Sequence, residues 1–133
     1  QYVYGSFKMV AITSYALDLD ASIDLGKAIA EASKGKNVLV VASSDMTHYQ
    51  PHKDVIKKDE ETLSAIVSLD ERVVSGLAIR LESLCGHDAV VATIAAAKNL
   101  GAKNAKVLCH YTSGDVTGDR DSVVGYASVG FYS

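Results

Sequence analysis

Val38–Tyr49 reads VLVVASSDMTHY, and the fold turns on how this stretch is read. It opens as an apolar run, Val38 to Ala42, and becomes abruptly polar at Ser43, Ser44, Asp45, Thr47 and His48. A short β-branched run ending in Ser, Asp and His has the pattern of a buried parallel strand with polar side chains at its carboxyl end. In open α/β sheets ligands bind at that end. Upstream, Lys8–Ser14 (KMVAITS) has strand composition, with Gly5 and Ser6 before it. Asp18, Asp20 and Ser22 offer N-cap oxygens. Leu25, Ala28, Ile29 and Ala32 then recur at the spacing of one helical face, and Gly35 provides a stop. Strand, helix and strand within about 30 residues predict a βαβ unit with parallel strands and a right-handed crossover.

Downstream of the polar stretch, Pro51 suits a helix start. Asp54–Val67 predicts a helix with one solvated face and a seam of Leu63, Ile66 and Val67. Leu69-Asp70 breaks it. Glu71–Leu81 predicts a second helix with Val73, Val74, Leu77, Ala78 and Leu81 inward. Cys85-Gly86-His87 interrupts the pattern, and Asp88 can cap a helix over Ala89–Leu100. That helix is apolar almost all round and is expected to be heavily buried. Lys106–Thr112 predicts a third strand, Ser113–Asp121 a turn-rich loop, and Val123–Phe131 a last strand. Gly125 and Gly130 signal a bulge or a close backbone approach there. The expected architecture is a single α/β domain over residues 1–133. Its sheet is mixed and mostly parallel, of about four to five strands, flanked by helices.

The composition narrows the function. The 133 residues suit one domain, and an apolar fraction of 48% can supply its core. A net charge of −3 argues against nucleic acid or an anionic membrane as partner. No apolar run approaches the ~18 residues that span a bilayer, and no basic segment followed by an apolar one opens the chain. The two cysteines, Cys85 and Cys109, form neither a C-x-x-C pair nor a disulfide framework. A reduced, cytoplasmic setting is therefore expected.

Three residues stand out for chemistry. Asp45 and His48, three apart, can point into one site from a tight turn. A carboxylate beside an imidazole orients it and raises its basicity, as a general base requires. The plainer alternative makes Asp45 a helix cap and His48 a surface residue. Cys85, followed by glycine at the mouth of a buried helix, sits where a thiolate is favoured as nucleophile or soft metal ligand. Its plainer alternative is a small buried residue. His87 and His52 read as exposed polar residues. Cys109 and His110 are expected to face opposite sides of a strand, with Cys109 in the core. Asp115, Asp119 and Asp121 lack the spacing and terminal Glu of an EF-hand, so a turn shaping a pocket wall is expected there. There is no P-loop, G-x-G-x-x-G, H-E-x-x-H or nucleophile elbow.

Four motifs in order carry a resemblance. They are Val41-Ala42-Ser43-Ser44-Asp45 with His48-Tyr49, Leu84-Cys85-Gly86, Tyr111 through Asp119 (YTSGDVTGD), and Val123-Val124-Gly125-Tyr126-Ala127. Together they resemble the Memo family, whose prokaryotic members are often called the AmmeMemoRadiSam system protein B. The match covers about Phe7 to Phe131 and corresponds to the family's C-terminal half. The resemblance implies a fold related to class III extradiol dioxygenases with a non-haem metal pocket. It implies that Cys85 ligates the metal together with two histidines of the N-terminal half, which have no counterpart here. It places Asp45 and His48 on the same pocket, with His48 where related dioxygenases have an acid/base histidine. Iron is the implied metal, with copper or zinc as alternatives. The family motif after the cysteine usually continues Gly, variable, Gly or His, Pro, whereas this chain has Gly86-His87-Asp88-Ala89.

The implied function is a metal-dependent redox reaction, dioxygenase-like or oxidase, in the intact family chain, with this half inactive alone. The competing expectation is a non-catalytic protein that binds a peptide or small molecule in the same pocket. Alone, the chain is expected to bind divalent metal weakly or not at all. A halved α/β fold exposes apolar surface or a bare strand edge, so homo-oligomerisation or a missing N-terminal partner segment is expected too.

Overall fold

The computed structural model describes every residue except Gln1 and Tyr4. The elements run α1 (Leu19–Ser33), α2 (His52–Val67), α3 (Glu71–Leu81), α4 (His87–Asn99), β1 (Asn104–Thr112), α5 (Ser113–Thr117) and β2 (Gly125–Tyr132). The helix boundaries have local causes. Asp18 caps α1 by accepting from Ala21 N at 2.8 Å. Pro51, with its preset φ, precedes α2. Leu69 reverses the chain with φ +57°, and Asp70 then caps α3 by accepting from Arg72 and Val73 N. Helix α4 starts at His87 behind Gly86, so Asp88 lies inside its first turn, where a carboxylate suits the helix dipole.

Helix α4 is the buried element that its composition predicts, with Val90 through Ala96 all buried. It lies against α1, and here the expected seam needs correction. The buried stripe of α1 is Ser22, Gly26, Ala30 and Ser33, while Ala28 and Ala32 are exposed. Small residues let the two backbones approach. A Cβ at Gly26 would clash with Ala92 O and come within 2.7 Å of Ala95 Cβ. The Ser22 and Ser33 hydroxyls are satisfied by Asp18 O and Ile29 O of their own helix. Leu63 and Ile66 of α2, Val74 and Ala78 of α3, and Val90, Val91 and Ile94 of α4 form the main apolar cluster with Met46 and Leu84. Val107, Ala127, Val129 and Phe131 close it from the inner face of the hairpin.

The sheet corrects the expected architecture. Strands β1 and β2 pair antiparallel, from Asn104 opposite Tyr132 to Thr112 opposite Gly125, and form the only ladder among the described residues. A mixed α/β composition is present, but not a mostly parallel sheet of about four to five strands. Lys8–Ser14 and Val38–Ala42 form no strand. A segment becomes a strand only when a neighbour meets its backbone donors and acceptors, and neither segment has that neighbour. Much of their side-chain surface lies in water, with Val10 86% and Leu39 78% exposed, although Val40 is half-buried and Ala42 packs against the apolar cluster. Val123, expected to open the last strand, makes an isolated bridge with Gln50 instead.

A register shift between Val107 and Cys109 decides the rest of β1. A bulge inserts one residue and changes the face that later residues take. Leu108 and Cys109 are both exposed, and His110 turns inward. Cys109 is therefore on the surface rather than in the core. The accessible area is 8553 Å², whereas a compact monomer of this mass exposes about 6,700 Å². The excess of about 1,800 Å² is what a standard interface buries in total. No helix among the described residues is long and apolar enough to cross a membrane.

Two glycine substitutions separate close packing from backbone entropy. Gly26→Ala should lower stability by about 1–3 kcal/mol, because α4 blocks the new methyl. Gly76→Ala on α3, with open space around it, should raise stability by about 0.5–1 kcal/mol. Urea midpoints moving in opposite directions confirm the pair.

Candidate metal centre

Asp45 and His48 lie on the segment between Val38–Ala42 and α2, and Cys85 lies in the turn between α3 and α4. Backbone bonds bring them together. Met46 N donates to Gly125 O at 3.1 Å and Gly125 N to Thr47 O at 2.9 Å, so the segment pairs with the end of β2. On its other side, Cys85 N donates to Asp45 O at 3.3 Å, and Asp45 N points at Cys85 Sγ at 3.3 Å. Ser44 Oγ accepts from Gly86 N at 2.9 Å and lies 3.7 Å from Cys85 Sγ. A Cβ at Gly86 would press on Ser43 O at 3.1 Å, so the turn after Cys85 approaches this closely because it is glycine.

The result is a three-residue cluster. One donor atom each from Asp45, His48 and Cys85 lies within 4.8 Å of the other two. His48 Nε2 is 3.4 Å from Asp45 Oδ2. Its angles do not make a hydrogen bond, and the nitrogen is buried without a partner. An unpaired buried polar atom costs free energy. A cation placed between this nitrogen, the carboxylate and the sulfur would relieve it. Imidazole, carboxylate and cysteine sulfur together form a group that could hold a metal ion. Cys85 is exposed and His48 half-buried, so the cluster is reachable from solvent.

The spacing argument for Asp45 and His48 and the separate argument for Cys85 thus lead to one place in the fold. Other residues fall elsewhere. His87 is the first residue of α4 and is not among the cluster's three residues. His52 is half-buried rather than exposed, with Nδ1 2.9 Å from Thr112 Oγ1. The Ser113–Asp121 stretch begins as α5, held by a reciprocal cap between Thr112 and Asp115. Its Arg120 lines a cavity with Pro51, His52, Lys53 and Asp54, and none of the cluster residues lines it.

Sequence reading missed Asp59. Within Lys58-Asp59-Glu60-Glu61 it looks solvated, yet it is fully buried. Its carboxylate accepts from Thr47 N at 3.1 Å and meets His110 Nε2 at 3.0 Å. The available signal was phase: Asp59, Thr62, Leu63 and Ile66 share one helical face, and all four are buried.

Comparison with known proteins decides the family. The family profile described as Memo-like protein matches residues 1–130. The chain belongs to the Memo family. It is 44% identical over 135 residues to a MEMO1 family protein of Pyrobaculum aerophilum, a match covering 99% of this chain and 48% of that protein. A MEMO1 family protein of Methanopyrus kandleri is 41% identical, with 98% of this chain and 48% of the relative covered. One of Methanocaldococcus jannaschii is 40% identical, with 93% and 44% covered. This Memo chain therefore spans about half the length of the curated relatives it matches.

The cap of α5 has a pH signature. The hydrogen bond from Thr112 N at 2.8 Å holds the Asp115 carboxyl below its ordinary value of 3.8, against the effect of burial, and His52 and Arg120 add to the lowering. A depressed carboxyl stabilises the fold above its unfolded value, near 3.9, and loses that contribution as pH falls through the folded value. Asp115→Asn should therefore lower stability at pH 7 and flatten the profile below about pH 4. Thermal denaturation from pH 2 to 7 checks this, and an unchanged acid limb would contradict it.

Proposed function

We propose that this Memo-family chain supplies one face of a non-haem metal site in a family-length protein. In this reading Cys85 is a metal ligand, His48 the acid/base group, and Asp45 the carboxylate that orients it. The reaction class is redox, dioxygenase-like or oxidase. The observation that carries the reading is the convergence of the three side chains within 4.8 Å, with His48 Nε2 buried and unpartnered. Iron is the metal of first choice, with copper and zinc as alternatives. A bound metal would supply the affinity for dioxygen that the side chains lack. The chain's own residues do the rest. Asp45 Oδ2 lies 3.4 Å from His48 Nε2, so the carboxylate stands beside the ring at the edge of the cluster. The bonds of Cys85 to Asp45 keep the sulfur beside it.

Cys85, with Asp45 and His48 beside it, does not complete a typical coordination shell, and the remaining ligands are assigned to the half of the family length that this chain does not span. The same half is the proposed neighbour of Lys8–Ser14 and Val38–Ala42, whose exposed apolar side chains and unpaired backbones suit strand partners. A cytoplasmic location accords with the free cysteines. A second reading makes the site a non-catalytic peptide-binding pocket. The unpaired Val38–Ala42 segment, which leads directly to Asp45, favours it as an edge for strand addition.

Cobalt(II) titration tests the metal reading. The chain should bind with a dissociation constant weaker than about 1 μM, and its spectrum should show a thiolate-to-cobalt band. Cys85→Ser should remove the band and His48→Gln should weaken binding. The absence of a band at saturating cobalt, or a band that survives Cys85→Ser, would overturn the reading. Light scattering tests the unpaired edges: the chain alone should be a dimer or larger. A clean monomer would show that the exposed segments need no partner.

A further inference from the structure

We propose that Asp59 is the positioning residue of the Asp45–His48–Cys85 cluster, acting through the backbone of Thr47 and oriented by His110. Its consequence for metal binding rests on the reading above; its geometry does not. Asp59 is fully buried on α2, although Glu60 and Glu61 beside it are exposed. A carboxylate taken out of water must find donors, and this one finds two. Oδ1 accepts from Thr47 N at 3.1 Å, and Oδ2 lies 3.0 Å from His110 Nε2.

The opposite side of the Thr47 peptide is held as well, since Thr47 O accepts from Gly125 N at 2.9 Å. Thr47 is thus clamped between α2 and β2, with Asp45 and His48 leaving the clamp at either end. Gly125 belongs to the device. A Cβ there would clash with Asp59 Oδ2 and lie 2.9 Å from its Cγ, so β2 reaches the carboxylate only as glycine. His110 belongs to it through the bulge in β1, which turns this residue inward. Helix α2 and both strands therefore converge on one carboxylate, and that carboxylate holds the peptide between two of the three cluster residues. No oxygen of Asp59 is among the cluster's donors, so its part is to position them.

Two substitutions at Asp59 test this. Asp59→Ala removes both acceptors and leaves Thr47 N unpaired. It should weaken cobalt binding at least tenfold and diminish the thiolate band. Asp59→Asn keeps one acceptor for Thr47 N if His110 moves its proton to Nδ1 and accepts at Nε2. It should recover most of the affinity, and nitrogen NMR of the His110 ring should show the tautomer change. Val74→Ala, a core truncation outside the cluster, controls for lost stability and should bind cobalt within threefold of wild type. The amide proton of Thr47 reports the clamp directly. It should be protected from exchange in wild type and Val74→Ala and exposed in Asp59→Ala.

Cobalt affinity and Thr47 protection in Asp59→Ala that match Val74→Ala would overturn the proposal. So would Asp59→Asn behaving no better than Asp59→Ala. If wild type takes up no cobalt, the metal reading fails, and the Thr47 amide in Asp59→Asn and Asp59→Ala still decides the positioning role. If Asp59→Ala does not fold, the His110 tautomer and Thr47 protection in Asp59→Asn decide it.

Discussion

A buried carboxylate has to be met by donors, and much of the candidate centre follows from how Asp59 meets that demand. Its two oxygens take Thr47 N and His110 Nε2. Thr47 lies within the segment that carries Asp45 and His48, and His110 lies on β1 just past a register shift. The partner strand must then present glycine at position 125, because a side chain there would occupy the carboxylate's place. One charge thereby correlates a helix, a bulge, a glycine and the path of the segment that reaches Cys85. The apolar cluster beneath gives bulk stability, and Met46 of the same segment is part of it.

A second constraint acts on the far side of the molecule. Hydrogen bonding in a sheet is shared between neighbours, so a strand cannot exist alone. The apolar segments before and after α1 have the composition of buried strands and lie exposed without a ladder. The chain also spans about half the length of the Memo relatives it matches. In the proposed reading, the neighbours of these segments come from the family length that this chain does not span. The stripe of Leu25, Ala28, Ile29 and Ala32 on α1 is not taken by α4, which packs on the small-residue face instead.

Legibility followed the range of the interactions. Helices α2, α3 and α4 were readable because their signals are local: Pro51 before α2, Asp70 as a cap, and a run of apolar residues that no surface helix would carry. The pair Asp45 and His48 was readable by spacing, and Cys85 by its place ahead of a buried helix. Asp59 was not, because its meaning depends on what lies across from its helix. Cys109 was misplaced because alternation assumes an unbroken register, and one extra residue in β1 reverses it. The face of α1 was misread because periodicity does not say which stripe meets a neighbour, and close contact with α4 selects the one carrying Gly26 and Ala30.

By itself, the sequence determined the family, the positions of the principal helices, and the three side chains of the candidate centre. These depend on local propensity, on capping and on motifs whose residues carry their own chemistry. Tertiary structure alone decided that donor atoms of Asp45, His48 and Cys85 come within 4.8 Å of one another, that Asp59 and His110 stand behind them, and that Val38–Ala42 remains unpaired. Each of those outcomes depends on whether a group distant in sequence meets the residue. The stretch Val38–Tyr49 holds both kinds. Its polar end was legible as a site, but whether its apolar end becomes a strand depends on a neighbour that its own residues cannot specify.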